Sequence, residues 1–328
     1  MEAGYTARMR TLTAVVASVL LLQGCSSLLN IELVPRIRPL HEETVEGKGK
    51  AKILLMDVSG VLSDESASLA LTAPPPKVPI VARVREELQK AEGDNDIKAL
   101  IVRINSPGGT ITASDLIYRE IVAFKARKKV PVVAVMMDVG ASGGYYAALA
   151  GDTIIALPTT VTGSIGVIML TLNAQGLMEK IGVAPLAIKS ADKKDAGSPF
   201  RQLTAEERAI FQSVIDQMYG RFVGLIVEHR KIPEERVRAF ADGRIYTAEQ
   251  AKALGLVDSI GYMDEVVASA RKAAGLEEAK VIMYHRPREY RSNFYSASPA
   301  TPGLEASLGS LAGLVSGMGP RFMYLWWP

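Results

Sequence analysis

An α/β fold built on a mainly parallel sheet is what this sequence predicts, and three observations carry the prediction. Short runs rich in valine and isoleucine alternate with segments whose apolar residues fall at helical spacing. One of those runs, Val130–Met137, is apolar along its whole length and reads as a buried strand. Between the first run and the last helical segment lie about 230 residues, enough for one domain with a substantial core.

The elements follow in order. Ala51–Val58 opens the folded part as a strand, Pro74-Pro75-Pro76 breaks the chain, and Val78–Glu92 carries Ile80, Val81, Val84 and Leu88 at helical spacing. Ala99–Ile104 is the next strand, Ala113–Ala126 a helix, Val130–Met137 a strand, Tyr145–Ala150 a helix and Thr153–Ala156 a strand. Strand and helix in turn put helices on the faces of a parallel sheet. Beyond an apolar segment at Val183–Ile188 the chain becomes more helical. Thr204–Glu228 is opened by a Thr-x-x-Glu box, Thr247–Leu254 by Thr-x-x-Gln, and Pro233–Phe240 and Asp264–Ala274 are also helical.

Both ends depart from this pattern. Arg8 and Arg10 precede the apolar stretch Leu12–Leu22, too short to span a bilayer and of a length that suits a secretory signal. Ser26–Lys50 mixes charge, proline and glycine without period and reads as a tether. From residue 286 to 328 serine, alanine, glycine and proline dominate, and the chain ends Tyr324-Leu325-Trp326-Trp327-Pro328. Two terminal tryptophans outside a core suit docking on a neighbouring subunit or membrane contact. A tail that reached an active site would be a self-regulating substrate mimic.

Composition excludes several classes. The net charge of +3 falls to +2 once residues 1–24, with Arg8, Arg10 and Glu2, are removed, so nucleic acid is not an expected partner. Cys25 is the single cysteine, which leaves no internal disulfide and no thiol nucleophile elsewhere. His41-Glu42-Glu43 lacks the second histidine of a zinc helix, and Gly47-Lys48-Gly49-Lys50 lacks phosphate-loop spacing. Neither a metal nor a cofactor is expected.

Chemistry concentrates in two small-residue turns. Gly140-Ala141-Ser142-Gly143-Gly144 directly follows the Val130–Met137 run, and such a turn can display one hydroxyl beside bare backbone amides. The alternative is a serine that merely caps the next helix. Asn105-Ser106-Pro107-Gly108-Gly109-Thr110 likewise ends a strand, and there the Gly109 amide can face a cavity. With the Gly143 amide it would form an oxyanion hole, each donor worth roughly 3–4 kcal/mol to a tetrahedral transition state.

A base is harder to place. His41, His229 and His285 all lie in unpromising contexts, so lysine is the other candidate. Lys189, Lys193 and Lys194 share a charged loop that reads at first as solvated. To be neutral near pH 7, a lysine must drop about 3.4 units from its reference value, roughly 5 kcal/mol, which burial can supply. Composition does not say which of the three does so.

These residues carry a resemblance. Asn105-Ser106-Pro107-Gly108-Gly109, Ala141–Tyr146, Thr162-Gly163-Ser164-Ile165-Gly166-Val167, Lys189-Ser190 with Lys194-Asp195 and Ser198-Pro199, and Ala241–Thr247 resemble, in order, the bacterial signal peptide peptidase family. The match runs from about Lys52 to Gly275. It implies a crotonase or Clp protease-like α/β fold, with repeated strand-strand-helix units, a mainly parallel sheet and peripheral helices. By position it implies Ser142 as nucleophile, Lys194 as general base, Ser164 as the hydroxyl that positions the base, and the Gly109 and Gly143 amides as oxyanion hole. Lys193 beside Lys194 departs from the pattern and, if close, would lower its neighbour's pKa.

The resemblance also implies apolar peptides, released signal peptides above all, as substrates, and a homo-oligomer whose subunits line a shared cavity. Leu22-Gln23-Gly24-Cys25 resembles a lipoprotein box, which would acylate Cys25 and hold the chain at the bacterial envelope, facing the periplasm. Ser26 and Ser27 favour the outer membrane over the inner, and a short N-terminal membrane anchor is the other reading. Four parts are therefore expected: signal peptide 1–24, tether 25–50 with lipidated Cys25, peptidase domain 51–285 and tail 286–328. Two rival functions share the fold or the site: an acyl-CoA hydratase or isomerase, which would want a carboxylate where Ser142 stands, and a non-catalytic scaffold.

Overall fold

The computed structural model of the chain describes residues 39–64, 78–286, 293–295 and 321–326, so the expected signal peptide and Cys25 lie outside the described residues. Its first element corrects the expected tether. His41–Gly47 is a strand, β1, paired antiparallel with Lys280–His285. Its sequence, HEETVEG, is charged and largely exposed, so no apolar run betrays it, and it lies at the sheet edge, where charge discourages further pairing.

The predicted alternation follows. Strand β2 (Lys52–Ser59) leads to helix α1 (Ile80–Glu92), then β3 (Ile97–Ser106), the short β4 (Gly108–Thr110), α2 (Ile111–Lys128) and β5 (Val132–Ala141). Beyond β5 come α3 (Gly143–Ala148), β6 (Thr153–Ala156), β7 (Val161–Gly163) and β8 (Ile168–Leu170). Helix α4 (Gln175–Lys180) and a 3-10 turn at Asp192–Asp195 lie within a segment that has little other regular structure. The chain closes with α5 (Ala205–Arg230), α6 (Glu234–Phe240), β9 (Ile245–Thr247), α7 (Ala248–Leu254), β10 (Ser259–Ile260), α8 (Met263–Ala273), β11 (Lys280–His285) and β12 (Arg321–Leu325). Both threonine boxes form as the sequence predicts: Thr204 caps Glu207 and Thr247 caps Gln250.

The main sheet runs β1-β11-β2-β3-β5-β6-β10, with β7 continuing from β5 and β9 paired to β7. From β11 to β10 every pair on that path is parallel. Alternate residues of its strands serve two cores, so most positions along the runs are apolar. Leu54, Met56, Leu100, Val102, Val132 and Ala134 face one core with helices α1, α2, α3 and α5. Ile53, Leu55, Ala99, Ile101, Val133 and Val135 face the other, with Met263, Val266, Val267 and Ala270 of α8. At their carboxyl ends β3 and β5 remain paired, Ser106 opposite Gly140, so the two small-residue turns lie side by side where open α/β sheets bind ligands. The 25–50 and 286–328 boundaries are thus too generous to the tethers. Residues 41–47 belong to the sheet and 321–325 form a strand against β4 and β8.

Candidate active site

β5 runs on past its apolar stretch and delivers Ser142 at a sharp bend, with φ 51° and ψ −116°. A side chain in that region of backbone space is strained, and residues held so cluster at functional sites. The strain is imposed on both sides. Ser142 N donates to Gly163 O at 2.8 Å, and its carbonyl accepts from Tyr146 N at 2.9 Å as α3 begins. Helix α3 can start only with glycine, because a Cβ at Gly143 would stand 2.3 Å from Ser114 Oγ and one at Gly144 2.6 Å from Ser106 O.

The serine is not a helix cap. Its side chain makes no capping bond, it is 1% exposed, and its Oγ is buried without a hydrogen-bond partner. An unpaired buried hydroxyl costs about 1–3 kcal/mol and points to a group kept free for another purpose.

The facing turn is held by Ser106, whose Oγ donates to Gly60 O at 2.6 Å and accepts from Gly108 N at 3.1 Å. That occupies the Gly108 amide. Gly109, whose neighbours bond Leu62 on one side, directs its own amide to the other. A Cβ at Gly108 would stand 2.6 Å from Gly143 N, so the turns approach closely enough for the Gly109 and Gly143 amides to serve one oxygen. Ser164 is brought alongside: Ala141 pairs with Gly163 in the β5–β7 ladder, so Ser142 and Ser164 leave adjacent strands together. Ser164 is also buried, and its φ is 49°.

Among the described residues no lysine hydrogen-bonds the Ser142 hydroxyl. Lys189, Lys193 and Lys194 are nonetheless told apart. Lys189 pairs with Asp195 at 2.8 Å, and Lys193 pairs with Glu206, whose hydrogen bond raises the Lys193 pKa. Lys194, in the 3-10 turn, is exposed and, among the described residues, forms no ion pair. The turn is braced by Arg201, which bonds Asp195 at 2.8 Å and also bonds Glu207. Those bonds hold the Asp195 carboxyl well below its usual range and Glu207 at about 2. Around this turn Leu172, Leu177, Ile181, Val183, Leu186 and Ile188 are uncovered, Ile188 to 96%. The apolar segment at Val183–Ile188 is thus an exposed coil.

No histidine competes for the role. His229 Nε2 is 2.6 Å from Tyr118 Oη, with its pKa lowered by burial, and His41 and His285 face each other across β1 and β11. Among the described residues no cluster of metal-ligating side chains occurs. Sequence reading missed the cavity wall: Tyr146, fully buried, stands 5.0 Å from Phe222 of α5. Tyr146 was visible in the nucleophile turn, but only the fold brings α5 to it.

Comparison with known proteins finds relatives of the chain. The model of peptidase family S49 matches residues 124–277, and that of the Clp protease family matches residues 60–163. A chain of Enterococcus faecium named as the signal peptide peptidase SppA is 36% identical over 246 residues, 75% of this chain and 70% of that one. A Synechocystis chain named as a protease is 44% identical over 56% of this chain and 65% of its own length. Protease 4 of Salmonella typhi is 33% identical over 72% of this chain but 36% of itself. Among solved structures, a mutant ClpP1 of Listeria monocytogenes aligns at 20% identity with a TM-score of 0.42, over 65% of this chain and 94% of that one. The acyl-CoA and scaffold readings fall away. The chain is a serine protease and belongs to peptidase family S49.

Proposed function

We propose that this chain is a serine-lysine endopeptidase of the bacterial envelope that degrades apolar peptides, released signal peptides foremost. One observation carries the reading: Ser142 Oγ is buried, unpartnered and held at a strained bend beside the Gly109 and Gly143 amides. Neutral Lys194 takes the Ser142 proton, the alkoxide attacks a peptide carbonyl, and the two amides hold the oxyanion. The resulting ammonium protonates the leaving amine. Water, deprotonated by the same amine, then cleaves the acyl-enzyme. Ser164, beside Ser142, orients the lysine.

Lys194 fits the base better than its neighbours because Lys193 and Lys189 are engaged in ion pairs with Glu206 and Asp195. A lysine base must be desolvated, and the bare row around Leu186 and Ile188 supports its burial against further copies of the chain. A homo-oligomer would thus complete the site. The SppA name of one relative supports the substrate class, and the Leu22–Cys25 box supports a lipid tether at Cys25, toward the outer membrane.

The test is hydrolysis of a fluorogenic apolar peptide by the form beginning at Ser26. Wild type and Lys193→Ala should turn over, whereas Ser142→Ala and Lys194→Ala should not. Turnover surviving in Ser142→Ala would remove the assigned nucleophile, and loss in Lys193→Ala with retention in Lys194→Ala would move the base by one residue.

A further inference from the structure

One carboxylate joins the three parts from which the site is built. Helix α2 starts directly after the Gly108-Gly109 turn, capped by Thr110, whose Oγ1 accepts from Ala113 N at 3.2 Å. Its first residues face the nucleophile bend: Ser114 Oγ stands where a Gly143 Cβ would collide, and Asp115 comes next. Asp115 Oδ1 accepts from Tyr146 Oη at 2.6 Å, and from Arg221 of α5 through Nε at 3.1 Å and Nη2 at 2.6 Å.

Tyr146 ties that oxygen to the Ser142 bend. Its backbone amide donates to Ser142 O at 2.9 Å, and the residue is 0% exposed. Burial first, and the carboxylate second, hold the phenol well above its usual pKa, so it stays a donor to Asp115. Arg221 ties the same oxygen to the base side. Helix α5 begins beside the Arg201 bonds that brace the Lys194 turn, and Arg221 lies roughly 21 Å along it from Glu207.

Exposure shows what this contact is for. The Asp115 side chain is 30% exposed and that of Arg221 55%, and ion pairs so open to water add little to stability. Phe222, packed on Tyr146, already holds α5 against the body. Apolar packing tolerates small slides and rotations, whereas directional charge-assisted bonds from a phenol and a guanidinium to one oxygen fix position. Position is what catalysis needs, since a misplacement of about 1 Å can cost about 10²-fold in rate.

We propose that Asp115 is a positioning residue for peptide hydrolysis: it fixes the Ser142 bend through Tyr146 and, through Arg221, sets the station of α5 and with it the Lys194 turn. The assignment deepens the serine-lysine reading and rests on it.

Turnover of the fluorogenic peptide by the full chain from Ser26 is measured for Asp115→Asn, Arg221→Met, Arg221→Lys and the Asp115→Asn/Arg221→Met double variant, with a urea midpoint for each. Asp115→Asn keeps an acceptor for Tyr146 but loses the charge, and Arg221→Met keeps an apolar stem. Each should lower kcat at least about tenfold, with KM within about twofold and the urea midpoint nearly unmoved. Arg221→Lys should recover part of the loss. The double variant should be no slower than the slower single one, because both remove the same contact. A wild-type kcat in both single variants, losses that multiply in the double, or a loss that tracks the urea midpoint overturns the proposal. A second readout needs no catalysis: hydrogen exchange of residues 140–149 should quicken in both Tyr146→Phe and Asp115→Ala, which cut the same bond. Unchanged exchange in both overturns the hold on the bend. Faster exchange with no turnover by any form, wild type included, retains that hold and removes the serine-lysine reading.

Discussion

The proposed nucleophile and the proposed base belong to regions built on opposite terms. Ser142 sits where a buried strand meets a helix, flanked by glycines that admit no side chain, with its hydroxyl sealed from water. Lys194 sits in a 3-10 turn on a segment whose leucines and isoleucines face solvent. The first region is preorganised by the fold and carries strain, while the second is braced by the ion pairs of Asp195 with Lys189 and Arg201, of Arg201 with Glu207 and of Lys193 with Glu206. The contrast teaches that a single chain prepares the attack but leaves the base solvated, and the missing desolvation must come from whatever covers the apolar segment.

The largest expected effect breaks the first region. Ser142→Ala should lower kcat/KM by at least about 10⁴-fold, as removal of an activated serine does in comparable dyads and triads, read with the fluorogenic peptide. Stability should move the other way. Ser142→Gly removes an unpaired buried hydroxyl and relieves a positive φ, so it should raise unfolding free energy by about 1–3 kcal/mol in urea titration. A destabilised glycine variant would mean that Ser142 is structural.

The second region should respond to assembly. Ile188→Asp places a charge on the most exposed apolar side chain, and should dissociate oligomers and cut activity by about tenfold or more while leaving the monomer's melting temperature within a few degrees. Sedimentation and turnover at matched concentrations check it. Unchanged sedimentation with full activity would leave the base side complete in one chain.

Smallest is a pH effect on the Arg201 cluster. Glu207, ordinarily near 4.5, is held at about 2 by Arg201, so its contribution is complete above pH about 4.5 and is lost as pH falls through the folded value. Asp195 is depressed by the same guanidinium and by Lys189, with the same sign. The melting difference between wild type and Arg201→Met should therefore be flat from pH 7 to 5 and shrink below pH 4.5. It should be small, because Arg201 and Asp195 are partly reached by solvent even though Glu207 is buried.

Much of the first region was legible in sequence, because glycine, proline and an uninterrupted apolar run have few structural uses. The turns at Pro107-Gly108-Gly109 and Ser142-Gly143-Gly144, the parallel strands before them and both threonine boxes follow from local rules. What escaped depends on long-range pairing. β1 is charged and is a strand only because β11 receives it, and β12 is too short to announce itself without β4 and β8. Lys189, Lys193 and Lys194 differ through Asp195 and Glu206, which pair with the first two and whose partnership spacing does not reveal.

The most direct test of the central claim is covalent trapping. Wild type and Lys194→Ala are treated with a fluorophosphonate carrying an apolar peptide, and intact and digested masses are read over a range of protein concentration. One adduct per chain on Ser142, forming faster as the protein assembles and nearly absent in Lys194→Ala, is the predicted result. An adduct on another residue, or full labelling of Ser142 in Lys194→Ala, would contradict it.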